Sequence, residues 1–261
     1  MADSLSSIAK IRVREAYKSF RQANGNEVEA IKGLSFTVAA NEYVAIVGPT
    51  GAGKSVLLDC ILGLKSLDEG SIQINGREVA HYAQVNKGRI TRIFQEDRLL
   101  PWLSATDNVA LGLQIQGVAV QERRERAAQW LEAVGLSNFC NAFPSELSGG
   151  MRQRVNIARA FAPNPEVILL DEAFSALDEI TAARLRGEFR DLAHQQRMTF
   201  LIVTHSIEEA IFLAGRILVF GAPARLVREI TVPVNAAADR LKVDQIRDEV
   251  RAAIADGVRT K

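Results

Sequence analysis

The 261-residue sequence predicts an α/β fold with a largely parallel sheet, and three observations lead there. Strand-like and helix-like patterns alternate in β-then-α order along the chain, as when helices cross over between parallel strands. A short apolar run, Tyr43 to Val47, enters the segment Gly48-Pro49-Thr50-Gly51-Ala52-Gly53-Lys54-Ser55; helical periodicity follows from Ser55 to Leu64, with Gly63 near its end. A second apolar run, Val167 to Leu170, delivers two carboxylates, Asp171 and Glu172, to the strand end where open α/β sheets bind ligands.

Taken in order, Ile11 to Ala16 and Leu34 to Val38 read as strands resembling antiparallel edges, joined through an exposed polar turn, Arg21 to Glu29, that contains Asn24-Gly25. Ser71 to Ile74 precedes Asn75-Gly76, a hairpin dipeptide that supplies positive φ at little steric cost. Ile90 to Phe94 is a further strand. From Leu99 to Phe161 the β character fades: Ser104 with Asp107 resembles a capping box, Gln121 to Val134 is helical and stops at Gly135, and another helix starts near Gly149. This stretch is expected to be a helical subdomain, residues 98–162, inserted in a main domain of residues 10–230. After Pro163 and Pro165 the strand Val167 to Leu170, a helix around Glu179 to Gln195 and the strand Thr199 to Val203 restore the alternation. Past Phe220 the signal weakens, and Val243 to Ala255 is expected to form a short amphipathic helix in a tail, residues 231–261.

Composition narrows the function classes. The net charge of +1 shows no global basic excess, so no nucleic-acid partner is expected. Cys60 and Cys140 lack metal-ligand spacing and are expected to be buried free thiols rather than a disulfide framework. Met1 to Lys10 lacks the apolar segment of a secretory leader, which suggests the cytosol. The charge-free stretch Asn108 to Gln121 is too short and too often interrupted to span a bilayer, which takes roughly 20 apolar residues.

The segment Gly48 to Ser55 fits G-x-x-x-x-G-K-S/T in the context that the motif requires, after a strand and opening a helix. Its glycines let backbone N–H groups curl around phosphate oxygens, Lys54 brings a full charge to the β/γ-phosphates, and the Ser55 hydroxyl suits Mg²⁺. Asp171 is placed to hold Mg²⁺, directly or through water. Glu172 could polarise the water that attacks a γ-phosphate. An acidic pair after a strand is by itself often a helix N-cap; following a phosphate loop, it reads as chemistry.

Leu147-Ser148-Gly149-Gly150-Met151 resembles the LSGGQ signature of the ATP-binding-cassette (ABC) ATPases. Physically it is a second serine- and glycine-rich helix start, suited to anions. The resemblance covers about residues 10 to 230 and implies a P-loop, RecA-like core with an N-terminal antiparallel β subdomain and an inserted helical subdomain. It implies ATP and Mg²⁺ as cofactors, with Ser55, Gln95 and Asp171 around the metal. Gln95 matches the Q-loop, Ser175-Ala176-Leu177-Asp178 the D-loop and His205 the switch histidine, and Phe20 aligns with the aromatic that stacks on adenine, Tyr17 being the second candidate. Glu172, His205, Gln95 and Lys54 are the expected catalytic residues. Nucleotide contacts are expected from Gly48, Pro49, Thr50, Gly51, Ala52, Gly53, Lys54, Ser55 and Val56, and from Ser148, Gly149, Gly150 and Asp178. In the family the signature meets ATP held by the other protomer, so a head-to-tail homodimer is implied.

A narrower resemblance lies in Phe94 to Leu103 followed by Asp107 to Leu113, which is similar to importer ATPases of the nitrate/sulfonate/taurine type. It implies solute uptake through separate permease subunits served by a solute-binding protein, and a peripheral place on the cytoplasmic face of the membrane. Leu99, Leu100 and Trp102 would line a groove for a permease helix; packed in the subdomain core, the same residues would have no such role. A soluble ABC-type ATPase uncoupled from transport is the alternative, though such proteins typically carry coiled-coil insertions or two cassettes. The chain departs from the family at Val56, where a second hydroxyl is usual, at Ala173 for proline, Ser206 for aspartate, Met151 for glutamine and Asn41-Glu42 for Gly-Glu.

Overall fold

The computed structural model describes residues 9–22, 25–80, 88–175 and 177–259. Met1 to Ile8, Asn24 of the expected turn and Ala176 of the D-loop segment lie outside the described residues. Two compact units form: the chain up to Val85 together with Thr199 onward, and Asn86 to Met198.

The first unit contains an antiparallel sheet in the order β2-β1-β4-β5, built from β1 (Ala9–Arg21), β2 (Glu27–Ala39), β4 (Glu69–Ile74) and β5 (Arg77–Glu78). Alternation sets its register. Ile11 and Val13 lie opposite Val38 and Phe36 on one side and Ile74 and Ile72 on the other, and all six are buried. The antiparallel expectation holds, but β1 is central rather than an edge. The polar segment expected as turn, Arg21 to Glu29, is strand at both its ends, since Arg21 pairs with Glu27, and Val28 and Glu29 pair with Phe20 and Ser19. Residue Glu15, at φ 42°, sits in a register shift between Val13 and Ala16, and its carbonyl lies 2.1 Å from where a Cβ on Gly70 would stand, so only glycine fits at 70. Asn75 and Gly76 both take positive φ, as the hairpin dipeptide demands.

The same unit carries the parallel strands β3 (Tyr43–Val47), β8 (Thr199–Thr204) and β9 (Arg216–Gly221), with β3 between the other two, and β10 (Arg225–Thr231) antiparallel to β9. Every residue of β8 is buried, the continuous run typical of a strand covered on both faces. Helix α1 (Lys54–Ile61) follows β3. A further helix, α6 (Ile207–Leu213), links β8 to β9. The helix expected over Val243 to Ala255 runs from Arg240 to Arg259 as α7; it packs on β9, β10 and α6 through Ile246, Val250 and Ala253. Cys60 is buried as expected, and burial pushes its thiol up to about 11, whereas Cys140 is only half-buried.

The second unit joins β6 (Ile90–Ile93) in parallel to β7 (Val167–Asp171) and adds α2 (Ala105–Ile115), α3 (Val120–Ala133), α4 (Gly149–Phe161) and α5 (Glu179–Gln196). Helices α2, α3 and α4 lie within residues 98–162, the stretch expected as a helical insertion, and the unit also takes in β6, β7 and α5. Its core includes a row of rings, Trp130, Phe161, Phe189 and Phe174, with successive centroids 5.3, 5.7 and 5.9 Å apart. Ser104 caps α2 by accepting from Asp107 N–H at 3.1 Å, while its own hydroxyl donates to the Asp107 carboxylate at 2.9 Å. No helix among the described residues is long and apolar enough to cross a membrane.

Candidate nucleotide site

In the first unit, strand register places the chemistry. Val47 lies opposite Thr204 in the parallel β3–β8 pair, so Gly48 and His205 leave neighbouring strands at the same end of the sheet. The loop then needs its glycines: a Cβ on Gly48 would stand 2.7 Å from the Phe220 carbonyl oxygen, and one on Gly53, at φ 84°, would stand 2.1 Å from that of Ala30. Gly51 also has positive φ, at 77°. Lys54 opens α1 and is only 7% exposed, and its ammonium donates to the carbonyls of Gly48 and Pro49 at 2.8 Å each. Gly53 offers α1 no side-chain cap and the first turn holds no acidic residue, so the helix start keeps its partial positive charge. Thr50 and Ser55 are exposed, Pro49 and Val56 are half-buried and Ala52 is buried.

His205 is exposed at the end of β8. Ser206 has a defined job: its hydroxyl caps α6 by accepting from Glu209 N–H at 3.1 Å, and its own N–H donates to the Thr204 hydroxyl at 3.0 Å. The buried Thr204 hydroxyl in turn donates to the Glu209 carboxylate at 2.7 Å. Phe20 is 36% exposed near the end of β1, with the Lys18 ammonium 5.5 Å from its ring centre. Tyr17 is the less available ring, because its hydroxyl packs against Gly33.

In the second unit, Ile93 pairs with Leu170, so exposed Gln95 and half-buried Asp171 and Glu172 issue from one end of the β6–β7 pair. Glu172 takes φ 51°, a left-handed conformation that side-chain-bearing residues adopt at a cost. A following proline would push it toward extended geometry, so Ala173 suits this backbone. The turn is tied down from both sides: the Ser175 N–H and hydroxyl donate to the Glu172 carbonyl at 3.1 and 2.8 Å, and Gln153 Nε2 donates to the Ala173 carbonyl at 2.5 Å.

Sequence analysis missed Arg92. Its guanidinium forms an ion pair with the Asp171 carboxylate and lies 4.6 Å from the Phe94 ring centre. A basic residue inside an apolar strand was the available signal. Both side chains are largely buried, so Arg92→Met is expected to cost about 3 kcal/mol, much of it from the carboxylate left behind. Thermal melts without nucleotide or metal check this; a melting temperature equal to that of the unaltered protein would show the pair to be dispensable.

Ser148, Gly149, Gly150 and Asp178 come together around a cavity of about 580 Å³ that also includes Arg154 and Arg184. Ser148 is the N-cap of α4, accepting from Met151 N–H at 3.3 Å, and Asp178 is the N-cap of α5, accepting from Thr181 N–H at 3.0 Å. That bond holds the Asp178 carboxyl below the usual range. The start of α4, with no acidic residue in its first turn, is the part of this cavity suited to an anion, whereas the carboxylates of Asp178 and Glu179 offset the start of α5 and Arg154 is paired with Glu188 at 2.7 Å.

Leu99 is buried, Leu100 is half-buried and Trp102 is 69% exposed. The loop is held by buried Asn108, which accepts from Leu100 N–H at 2.8 Å and donates to the carbonyls of Leu100, Leu103 and Ser104 at 3.0 to 3.1 Å. Of the expected groove lining, Leu99 therefore belongs to the core and Trp102 to the surface.

Comparison with known proteins fits these features. The chain is 43% identical over 255 residues to a protein of Rhizobium johnstonii named taurine import ATP-binding protein TauB, covering 94% of this chain and 96% of the relative. It is 40% identical over 206 residues to a Synechocystis protein named nitrate import ATP-binding protein NrtD, covering 78% and 76%. Among solved structures, the dimeric post-hydrolysis state of the ATP-binding cassette MJ0796 bound to ADP and Pi superposes with a TM-score of 0.76 at 31% identity, over 85% of this chain and 99% of that one. With the family described as ABC transporter matching residues 31–175, the chain belongs to the ABC transporter family.

Proposed function

We propose that the chain is the ATP-hydrolysing subunit of an importer, working as a head-to-tail homodimer beneath separate permease subunits on the cytoplasmic face of the membrane. The relatives named for taurine and nitrate import support solutes of that anionic or zwitterionic class. A permease and a solute-binding protein would make the choice among them. Lys54 and the N–H groups opening α1 hold the β- and γ-phosphates, and Phe20 presents a ring face to adenine. Ser148 of the partner subunit and Gly150 of the partner subunit complete the cage. Glu172 orients or deprotonates the attacking water, and His205 contacts the γ-phosphate.

Ser55, Gln95 and Asp171 offer only oxygen donors, the set a hard cation such as Mg²⁺ takes alongside phosphate oxygens. When bound, Mg²⁺ would neutralise charge on the transferred phosphoryl group. Because ATP would bridge two protomers, it acts by binding the closed state more tightly than the open one.

The observation that carries the importer reading, over an ATPase uncoupled from transport, is Trp102, a large ring left exposed on a loop locked by Asn108 just after Gln95. Aromatic anchors of this kind carry much of the affinity of a helix-in-groove contact. Trp102→Asp is expected to weaken association with the permease at least tenfold while ATP binding is unchanged. Co-purification with the permease measures it, and undiminished recovery would remove the groove.

A further inference from the structure

Helix α4 carries Gln153, Asn156 and Arg159 at three-residue spacing, hence along one face. Arg159 donates from Nη1 to the Arg98 carbonyl at 2.9 Å, and from Nη2 to the Asp97 carbonyl at 2.7 Å and to Asn156 Oδ1 at 2.8 Å. Asn156 Nδ2 then donates to Gln153 Oε1 at 3.4 Å, and Gln153 Nε2 donates to the Ala173 carbonyl at 2.5 Å. The two ends fix the orientation of both amides, because a guanidinium only donates and a carbonyl only accepts. Every donor consequently points the same way, so that successive bonds polarise one another. Gln153 and Asn156 are 3% and 1% exposed, so solvent does not readily replace a broken link.

The line has meaningful ends. One is the backbone two and three residues beyond Gln95, which Arg152 also grips by donating from Nε to the Asp97 carboxylate at 2.8 Å. The other is the carbonyl of Ala173, the neighbour of Glu172, which is held at φ 51°.

We propose that Gln153 is a positioning residue for ATP hydrolysis, holding the Glu172 turn to the Asp97–Arg98 backbone so that displacement of that segment re-aims the Glu172 carboxylate. This rests on the reading of Glu172 as the group that orients the attacking water. Gln153, Asn156 and Arg159 are not among the expected nucleotide contacts, so the line acts on turnover and not on ATP affinity.

The test uses the full chain with Gln153→Met, which keeps the volume and removes the donor, and Arg159→Lys, which keeps the charge but replaces the planar fork, whose Nη1 and Nη2 reach separate acceptors, by a single nitrogen. Expected are a fall in kcat of at least tenfold for the first and threefold for the second, with KM for ATP within twofold of the unaltered protein. A purely structural role would lower the melting temperature and leave kcat per folded molecule intact, and that result overturns the proposal. Should Gln153→Met fail to fold, Arg159→Lys decides by the same kcat criterion. Glu172→Gln run alongside separates the two failures: its retained turnover overturns the role of Glu172 and this inference with it, whereas its loss beside unimpaired Gln153 and Arg159 variants overturns this inference alone.

Discussion

Glu172→Gln is expected to abolish steady-state ATP hydrolysis while ATP still binds. The substitution keeps the shape of a side chain on a turn whose geometry is set by its backbone: φ 51° at Glu172, with its carbonyl held by Ser175 and the next by Gln153. An amide fits there without altering those bonds. It cannot take a proton from water, and the loss of a general base is worth roughly 10²- to 10⁴-fold in rate. Lys54 and the opening of α1, which carry the phosphate contacts, are untouched. Uncleaved ATP should therefore accumulate between two protomers and hold them together. Phosphate release measures the first effect, and sedimentation with ATP, showing dimer where the unaltered protein reverts to monomer, measures the second. Near-normal turnover would remove Glu172 as the base.

Where the chain is covered on both faces, its strands could be read directly. Tyr43 to Val47, Val167 to Leu170 and Thr199 to Val203 are apolar but for the leading Thr199, and each reappears with its boundaries moved by at most one residue. Elements with one wet face were harder to see. Lys18 to Arg21 continues β1 although three of its four residues are polar, because pairing with β2 satisfies their backbone groups. β10 hides for the same reason, with Arg225, Arg228 and Glu229 along it, and α7 extends past its apolar centre at both ends through polar residues.

The site divides along a similar line. Glycine spacing announced the phosphate loop because close approaches of 2.1 to 2.7 Å at Gly53 and Gly48 leave no room for another residue. Ser148 and Asp178 stood in recognisable motifs, yet their shared role as N-caps facing one cavity needed coordinates. Arg92 was not recognised, since only the β6–β7 register brings its guanidinium to Asp171, 79 residues away. The same holds for Gln153: its local sequence resembles an ordinary polar helix face, and its bond to Ala173 is a product of the fold.

Lys54→Ala is expected to weaken ATP binding by about 10- to 100-fold, the effect of losing one charge-assisted hydrogen bond of roughly 1.5–3 kcal/mol. Lys54 is 7% exposed and its ammonium is fastened to the carbonyls of Gly48 and Pro49, so little conformational freedom is lost when it meets a phosphate. Its removal also strips those two carbonyls of a donor, that of buried Gly48 included. What survives in the variant is the start of α1, uncapped by any side chain and free of acidic residues, which retains a weak attraction for anions. Residual binding, and not complete loss, is thus the expected result, with hydrolysis falling further because the same ammonium would stabilise charge on the transferred phosphoryl group. Calorimetric titration of ATP into the folded variant measures the first effect. An unchanged affinity would mean that the ammonium serves only to brace the loop, and the phosphate would have to be held by backbone N–H groups alone.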